Sequence, residues 1–114
     1  MQTEQSRLAL KRANEIRLHI AVLKKQIAAK TITINDVLTD EAVKNLFLWD
    51  VFQWQPMVGI AYTRQMFSTT RLPVTVRCGN LNERQLRLVR EWVGARTYAA
   101  RRAISAREHQ RWTA

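Results

Sequence analysis

Residues 3–30, TEQSRLALKRANEIRLHIAVLKKQIAAK, contain neither glycine nor proline, and their apolar positions Ile16, Ile20, Leu23 and Ile27 recur at steps of four, three and four. That spacing lines one face of a 3.6-residue helix. Leu8 and Ala13 extend the stripe weakly toward the N-terminus, and Arg7, Lys11, Arg12, Arg17, Lys24 and Lys25 fall mostly elsewhere around the helix. The segment reads as one long, basic, amphipathic helix whose first turns are the most prone to fray. It sets the class of the chain as all-α, because nothing downstream offers a sheet.

Thr31-Ile32-Thr33-Ile34 alternates and is β-branched, yet no second strand of like quality exists to pair with it. It is better read as an extended connector into a short helical turn at Asn35-Asp36-Val37-Leu38, capped by Asn35 or Asp36. Thr39 or Asp40 then caps a further short helix over residues 41–48, and Trp49 to Trp54 forms a third. Phe47, Trp49, Phe52 and Trp54 are expected to dominate the core of so small a domain. Pro56-Met57-Val58-Gly59 breaks the run and launches a helix over roughly Ile60 to Phe67. After an extended loop bearing Arg71 and Arg77, Asn80 or Asn82 caps the last helix, whose apolar face is Leu81, Leu88, Val89 and Trp92. Gly94 bends or weakens that helix before the pattern resumes at Tyr98.

The chain has 114 residues with 19 Lys and Arg against 9 Asp and Glu, a net charge of +10. One domain's worth of length excludes a cofactor domain beside a substrate domain, and no apolar run approaches the roughly 18 residues that span a bilayer. At 46% apolar and 25% charged, the composition is that of a folded domain rather than a disordered polycation. The excess charge is uneven. Residues 1–70 carry 9 basic and 6 acidic side chains, whereas residues 71–114 carry 10 and 3, and all ten are arginine. A planar fork of donors suits phosphate better than the point charge of lysine. Cys78 has no partner for a disulfide and no basic-then-apolar leader opens the chain, so the expected compartment is the cytoplasm, where nucleic acid is the leading polyanion.

Chemistry is sparse. His19 and His109 lack neighbours at metal-ligand spacing, no phosphate-binding glycine loop occurs, and Cys78 beside Arg77 has no nearby base. The expectation is a binding protein and not an enzyme, with no metal or cofactor.

A more specific signal lies in the run Leu48-x-x-Val51-Phe52-x-x-x-Pro56-x-Val58-Gly59, followed by Thr63 and Met66. It resembles the helix, Pro-x-Val-Gly turn and helix of the actinobacterial integration host factor family. Upstream, Leu23-Lys24, Ile27 and Val37-Leu38 resemble the end of that family's long first helix and its short second one. Downstream, Leu81-x-Glu83-Arg84-Gln85 with Arg87 resembles the start of its last helix. The likeness covers roughly residues 15–92. It implies an all-helical domain over residues 1–92 with a long N-terminal helix and a helix–two-turn–helix unit, and leaves residues 93–114 as a basic C-terminal helical extension. It also implies binding of double-stranded DNA with little sequence preference, bending or compaction of that DNA in a nucleoid or phage setting, and assistance to a phage integrase in site-specific recombination.

On that resemblance the backbone of Val58, Gly59 and Ile60 faces phosphates, since glycine admits close approach and the amides opening the next helix form an anion site. Arg64 is the one cation near the turn, where the family carries lysines and this chain has Met57, Ile60 and Tyr62. Arg71, Arg77, Arg84 and Arg87 complete the expected contact set. Arg12, Arg17 and Lys24 are either a solvated face or a second patch on bent DNA. Trp49 and Trp54 are read as core in preference to base-stacking, and Met57 and Ile60 as packing in preference to minor-groove wedges. Two other classes stay open: an RNA-binding helical module, and an interaction protein whose C-terminal helix, with Trp92, Tyr98, Ile104 and Trp112, pairs with another chain or lies on an anionic membrane.

Overall fold

In a computed structural model, which describes residues 3–95 and 97–113, the chain forms six α-helices: α1 (Glu4–Ala28), α2 (Ile34–Leu38), α3 (Leu48–Phe52), α4 (Ile60–Thr70), α5 (Glu83–Gly94) and α6 (Tyr98–Thr113). Short 3₁₀ turns lie at Glu41–Val43 and Cys78–Asn80. The all-α expectation holds, and no strand occurs among the described residues.

The first turn of α1 carries a cap: Thr3 Oγ1 accepts from the Ser6 amide at 3.2 Å. Its stripe is used unequally. Leu23 and Ile27 are buried, Ile20 is half-buried, and every residue from Glu4 to His19 is exposed. The helix thus joins the core by its last turns and extends the stretch from Glu4 to His19 as an exposed arm of about 24 Å at 1.5 Å per residue. Across the base of the arm, His19 Nε2 meets Asp40 Oδ2 at 2.8 Å. Burial alone raises the Asp40 pKa, but the His19 hydrogen bond, the Ala42 amide and the His19 charge together hold it below the ordinary carboxylate value. At its other end α1 closes on Lys30, whose φ of 62° takes the left-handed position common after helices, with the Thr31 amide bonding back to the Gln26 carbonyl at 2.9 Å.

Local capping follows the sequence with small shifts of register. The connector caps α2 through Thr33 and not Asn35 or Asp36; Asp36 is instead the acidic partner in a Thr33–Asp36 capping box. Asn82 and Gln85 form the equivalent box at α5. The helix expected over residues 41–48 stops after Val43. The reason is a pairing with a distant segment of the same chain: Gly79 N–H bonds the Lys44 carbonyl at 2.9 Å, Cys78 N–H bonds the Leu46 carbonyl at 2.9 Å, and Leu48 N–H bonds the Val76 carbonyl at 3.0 Å. The single N–H of Leu48, which a continuous helix would give to the Lys44 carbonyl, is spent on Val76 instead.

The expectation of an aromatic core from Phe47, Trp49, Phe52 and Trp54 is corrected. Only Phe52 is wholly buried; Trp49 and Trp54 are half-buried and Phe47 is exposed. A five-residue helix has one inward face, and α3 spends it on Leu48, Val51 and Phe52. Trp49 packs on Phe67 at 5.1 Å between ring centroids, and cations cover the other two rings: Arg77 lies 4.4 Å from the Phe47 centroid and Lys24 4.9 Å from that of Trp54. The largest fully buried side chain is Trp92.

The basic C-terminal segment is two helices rather than one bent at Gly94. The last residues of α5 include Val93 and Gly94, and α6 packs chiefly against α4 while reaching α5 through side chains, with Arg101 over Trp92, Arg107 on Glu91 and Arg84 on Glu108. Its Ile104 enters the common core.

Glycine is needed in the fold at one place. A Cβ on Gly79 would sit 2.8 Å from both the Cβ and the carbonyl oxygen of Lys44, whereas one on Gly94 would meet nothing within 4 Å. Gly79→Ala is expected to destabilise by about 1–3 kcal/mol through forced displacement of the paired segments. Gly94→Ala is expected to fall within about 1 kcal/mol of the parent, and urea unfolding of the two variants side by side measures the contrast.

Candidate nucleic-acid interface

The turn between α3 and α4 is built by glutamine side chains that finish one helix and by a glycine that opens the next. Gln53 Nε2 donates to the Trp49 carbonyl at 3.0 Å and Gln55 Nε2 to Phe52 at 2.9 Å, occupying carbonyls that α3 leaves open. Pro56 and Met57 form the tip. Met57 has φ 63° and its side chain is fully in solvent, an uncommon conformation for a residue with a Cβ.

Gly59 is the N-cap of α4, with extended backbone, and no side chain caps the helix there. The first turn of α4 has no acidic residue. Thr63 Oγ1 donates to the Gly59 carbonyl at 2.8 Å and so turns its hydroxyl away from the amides that open the helix. The helix begins as a row of backbone N–H groups at the positive end of its dipole.

Beside this turn lies a groove of about 520 Å³ lined by Lys30, Asn35, Gln55, Val58, Arg90 and Gly94, among others. The end of α1, the turn and the outer side of α5 meet there. Arg90 also borders an adjoining concavity with Arg87 and Glu83. Lys30, Arg87 and Arg90 have no carboxylate partner among the described residues, and each is exposed. A cationic edge therefore runs along the groove next to Val58 and Gly59.

The residues expected to touch DNA are distributed unequally. Val58, Gly59 and Ile60 come together at the turn; Arg64 stands exposed on the next turn of α4 without an ion-pair partner among the described residues. Lys24 is drawn to the same region through Trp54. Arg87 lies on α5 beside Arg90. Arg12 and Arg17 are exposed on the arm. Three arginines are placed elsewhere. Arg71 has φ 56° at the opposite end of α4 and meets His109 Nδ1 at 2.9 Å. Arg77 stacks on Phe47 and donates to the Asn45 carbonyl. Arg84 pairs with the buried Glu108 carboxylate at 3.3 Å.

Lys30 and Arg90 were not among the expected contacts. They are 60 positions apart, and only the packing of α1 against the turn and α5 makes them neighbours. The signals in the sequence are a lysine placed where a helix has to end and Arg90 on the basic face of the last helix.

Among the described residues no group of acids, histidines and cysteines is arranged to hold a metal ion, and no helix is long and apolar enough to cross a membrane. Burial lifts the Cys78 thiol to about 12 against a smaller lowering by a backbone hydrogen bond. Cys78 is expected to resist maleimide in the folded protein at pH 8 and to label at the unfolded-thiol rate in denaturant; quantitative labelling of the native chain within minutes contradicts this. In comparisons with protein-family models, curated proteins and solved structures, nothing matches this chain.

Proposed function

We propose that the protein binds double-stranded DNA through its phosphate backbone, with little base readout, as an architectural protein that bends or compacts the duplex rather than as a catalyst. The observation that carries this reading is Gly59. It opens α4 without a side-chain cap, a Cβ there would meet nothing in the protein, and the neighbouring groove is edged by unpartnered cations. Packing within the protein does not require a glycine here, whereas close approach of a phosphate to the α4 amides does. The net charge of +10 supplies the sequence-independent part of the affinity.

The likeness of the Pro56-to-Gly59 turn to that of the actinobacterial integration host factors agrees with this reading and extends it. It adds assistance to a phage integrase as a role and the nucleoid as the place. The favoured contacts are the amides after Gly59 with Arg64, Lys30, Arg87 and Arg90. Arg84 contributes to stability through Glu108 instead, and Arg12 and Arg17 offer a second contact along the arm.

Titration of random-sequence duplexes from low to above-physiological salt tests the proposal. Affinity is expected to fall steeply with salt and vary little with sequence, and each of Lys30→Gln, Arg87→Gln and Arg90→Gln to shallow the log–log slope by about 0.9. Gly59→Ala is expected to lower stability by no more than about 1 kcal/mol, the difference between glycine and alanine at an N-cap, while weakening binding severalfold. No binding at low salt, or a salt-independent constant, overturns the reading; full affinity in Gly59→Ala moves the contact away from the turn.

A further inference from the structure

A second concavity, of about 270 Å³, opens between α4, the end of α5 and α6. Gln65, Thr69, Trp92, Arg101, Arg102 and Ser105 are among the residues lining it, and no carboxylate is. It shares no lining residue with the groove beside Val58, and its chemistry stands whether or not that groove holds a duplex.

Two donors here have nothing to donate to. Trp92 is wholly buried and its indole Nε1–H has no acceptor; the Arg101 Nε–H is also closed to water without one. Leaving a buried donor unmade is costly, which is why most such groups are found paired with protein, water or ligand. Arg101 carries a second deficit. Its guanidinium lies 4.1 Å from the Trp92 ring centroid and donates through Nη2 to the Tyr62 hydroxyl, contacts that hold it in place without neutralising its charge. The nearest acids along α5 and α6 are already committed, Glu91 to Arg107 at 2.7 Å and Glu108 to Arg84 at 3.3 Å. A part-buried cation without a counter-ion thus stands beside a buried orphan N–H. Around them are a second guanidinium, four hydroxyl-bearing side chains and a side-chain amide.

We infer that this concavity is a binding site for a phosphate-type oxyanion. A tetrahedral anion supplies what the lining lacks, several acceptor oxygens and negative charge, and the two guanidiniums offer the forked donors that such oxygens accept best. The Ser105 hydroxyl and the Gln65 amide adapt to either a free phosphate ester or a backbone diester, whereas the Thr69 hydroxyl already donates to the Gln65 carbonyl at 2.8 Å. A single water, which accepts two hydrogen bonds but brings no charge, leaves Arg101 uncompensated.

The test follows the four indole N–H resonances of the ¹⁵N-labelled full chain as inorganic phosphate is added at constant ionic strength. The Trp92 resonance is expected to move downfield and saturate, while those of Trp49, Trp54 and Trp112 stay in place. Arg102→Gln, an exposed substitution that spares the Arg101 stack, is expected to raise the half-saturating phosphate concentration about tenfold. Arg111→Gln, which removes the same charge farther along α6, is expected to leave it unchanged. A Trp92 resonance that does not move, four indoles drifting together without saturation, or equal effects of the two substitutions overturns the site. Repeating the titration with a short duplex separates the sources. The same Trp92 shift assigns the pocket to a backbone phosphate, and a response to inorganic phosphate alone assigns it to a free phosphate ester.

Discussion

Trp92 is the point at which four helices meet. Its indole takes the edge of Phe52 from α3 at 6.2 Å and of Tyr62 from α4 at 4.8 Å, and it lies under the Arg101 guanidinium of α6 at 4.1 Å. Aromatic pairs at these separations and tilts are favourable beyond the area they bury. Because α3 has only five residues and α2 only five, neither has appreciable stability of its own. Their place is fixed by what they pack against. The turn that presents Gly59 runs from the helix that contributes Phe52 to the helix that contributes Tyr62, so its geometry depends on that one indole.

The same arrangement explains how a chain with a charge of +10 folds without driving itself apart. Several of its few carboxylates are placed where helices join. Asp40 ties the Glu41–Val43 turn to α1 through His19, and Glu91 and Glu108 tie α5 to α6. Other cations at the joints lie on rings instead of acids: Lys24 on Trp54, Arg77 on Phe47, Arg101 on Tyr62 and Trp92. A ring face attracts a cation without demanding that an anion be desolvated beside it. The basic side chains that lack such partners are left on outer surfaces, where their repulsion is screened and a polyanion has access to them.

Much of this fold was legible in the sequence because it rests on local rules. The steps of Ile16, Ile20, Leu23 and Ile27, the break at Pro56, and Asn82 ahead of an acidic first turn each mark an element within a few residues. What was illegible depends on partners far away in the chain. Nothing near Leu48 announces that its N–H will meet the Val76 carbonyl, and that meeting ends a helix the local sequence favours. The aromatic run 47–54 looks like core by composition, yet a five-residue helix turns only one side inward. The site shows the same division. Val58 and Gly59 follow from a motif that fixes a local turn, whereas Arg71, Arg77 and Arg84 follow from the resemblance of later segments, which says nothing of what engages their side chains. Their engagement by His109, Asn45 and Glu108 lies 24 to 38 positions away.

The unequal burial of α1 divides a single helix into two thermodynamic regimes. From Leu23 onward, opening the backbone uncovers Leu23 and Ile27 and disturbs the core, so those amides exchange only with larger unfolding events. From Glu4 to His19 the helix has no tertiary cover beyond its base, and its hydrogen bonds rest on the Thr3 cap and on helix propensity. Helix lengths of this order are marginal in water without packing. The arm is therefore a reservoir of conformational entropy attached to a rigid body. Any surface that aligns along it must supply the free energy to hold it straight, and gains in return a lever already pointed in one direction.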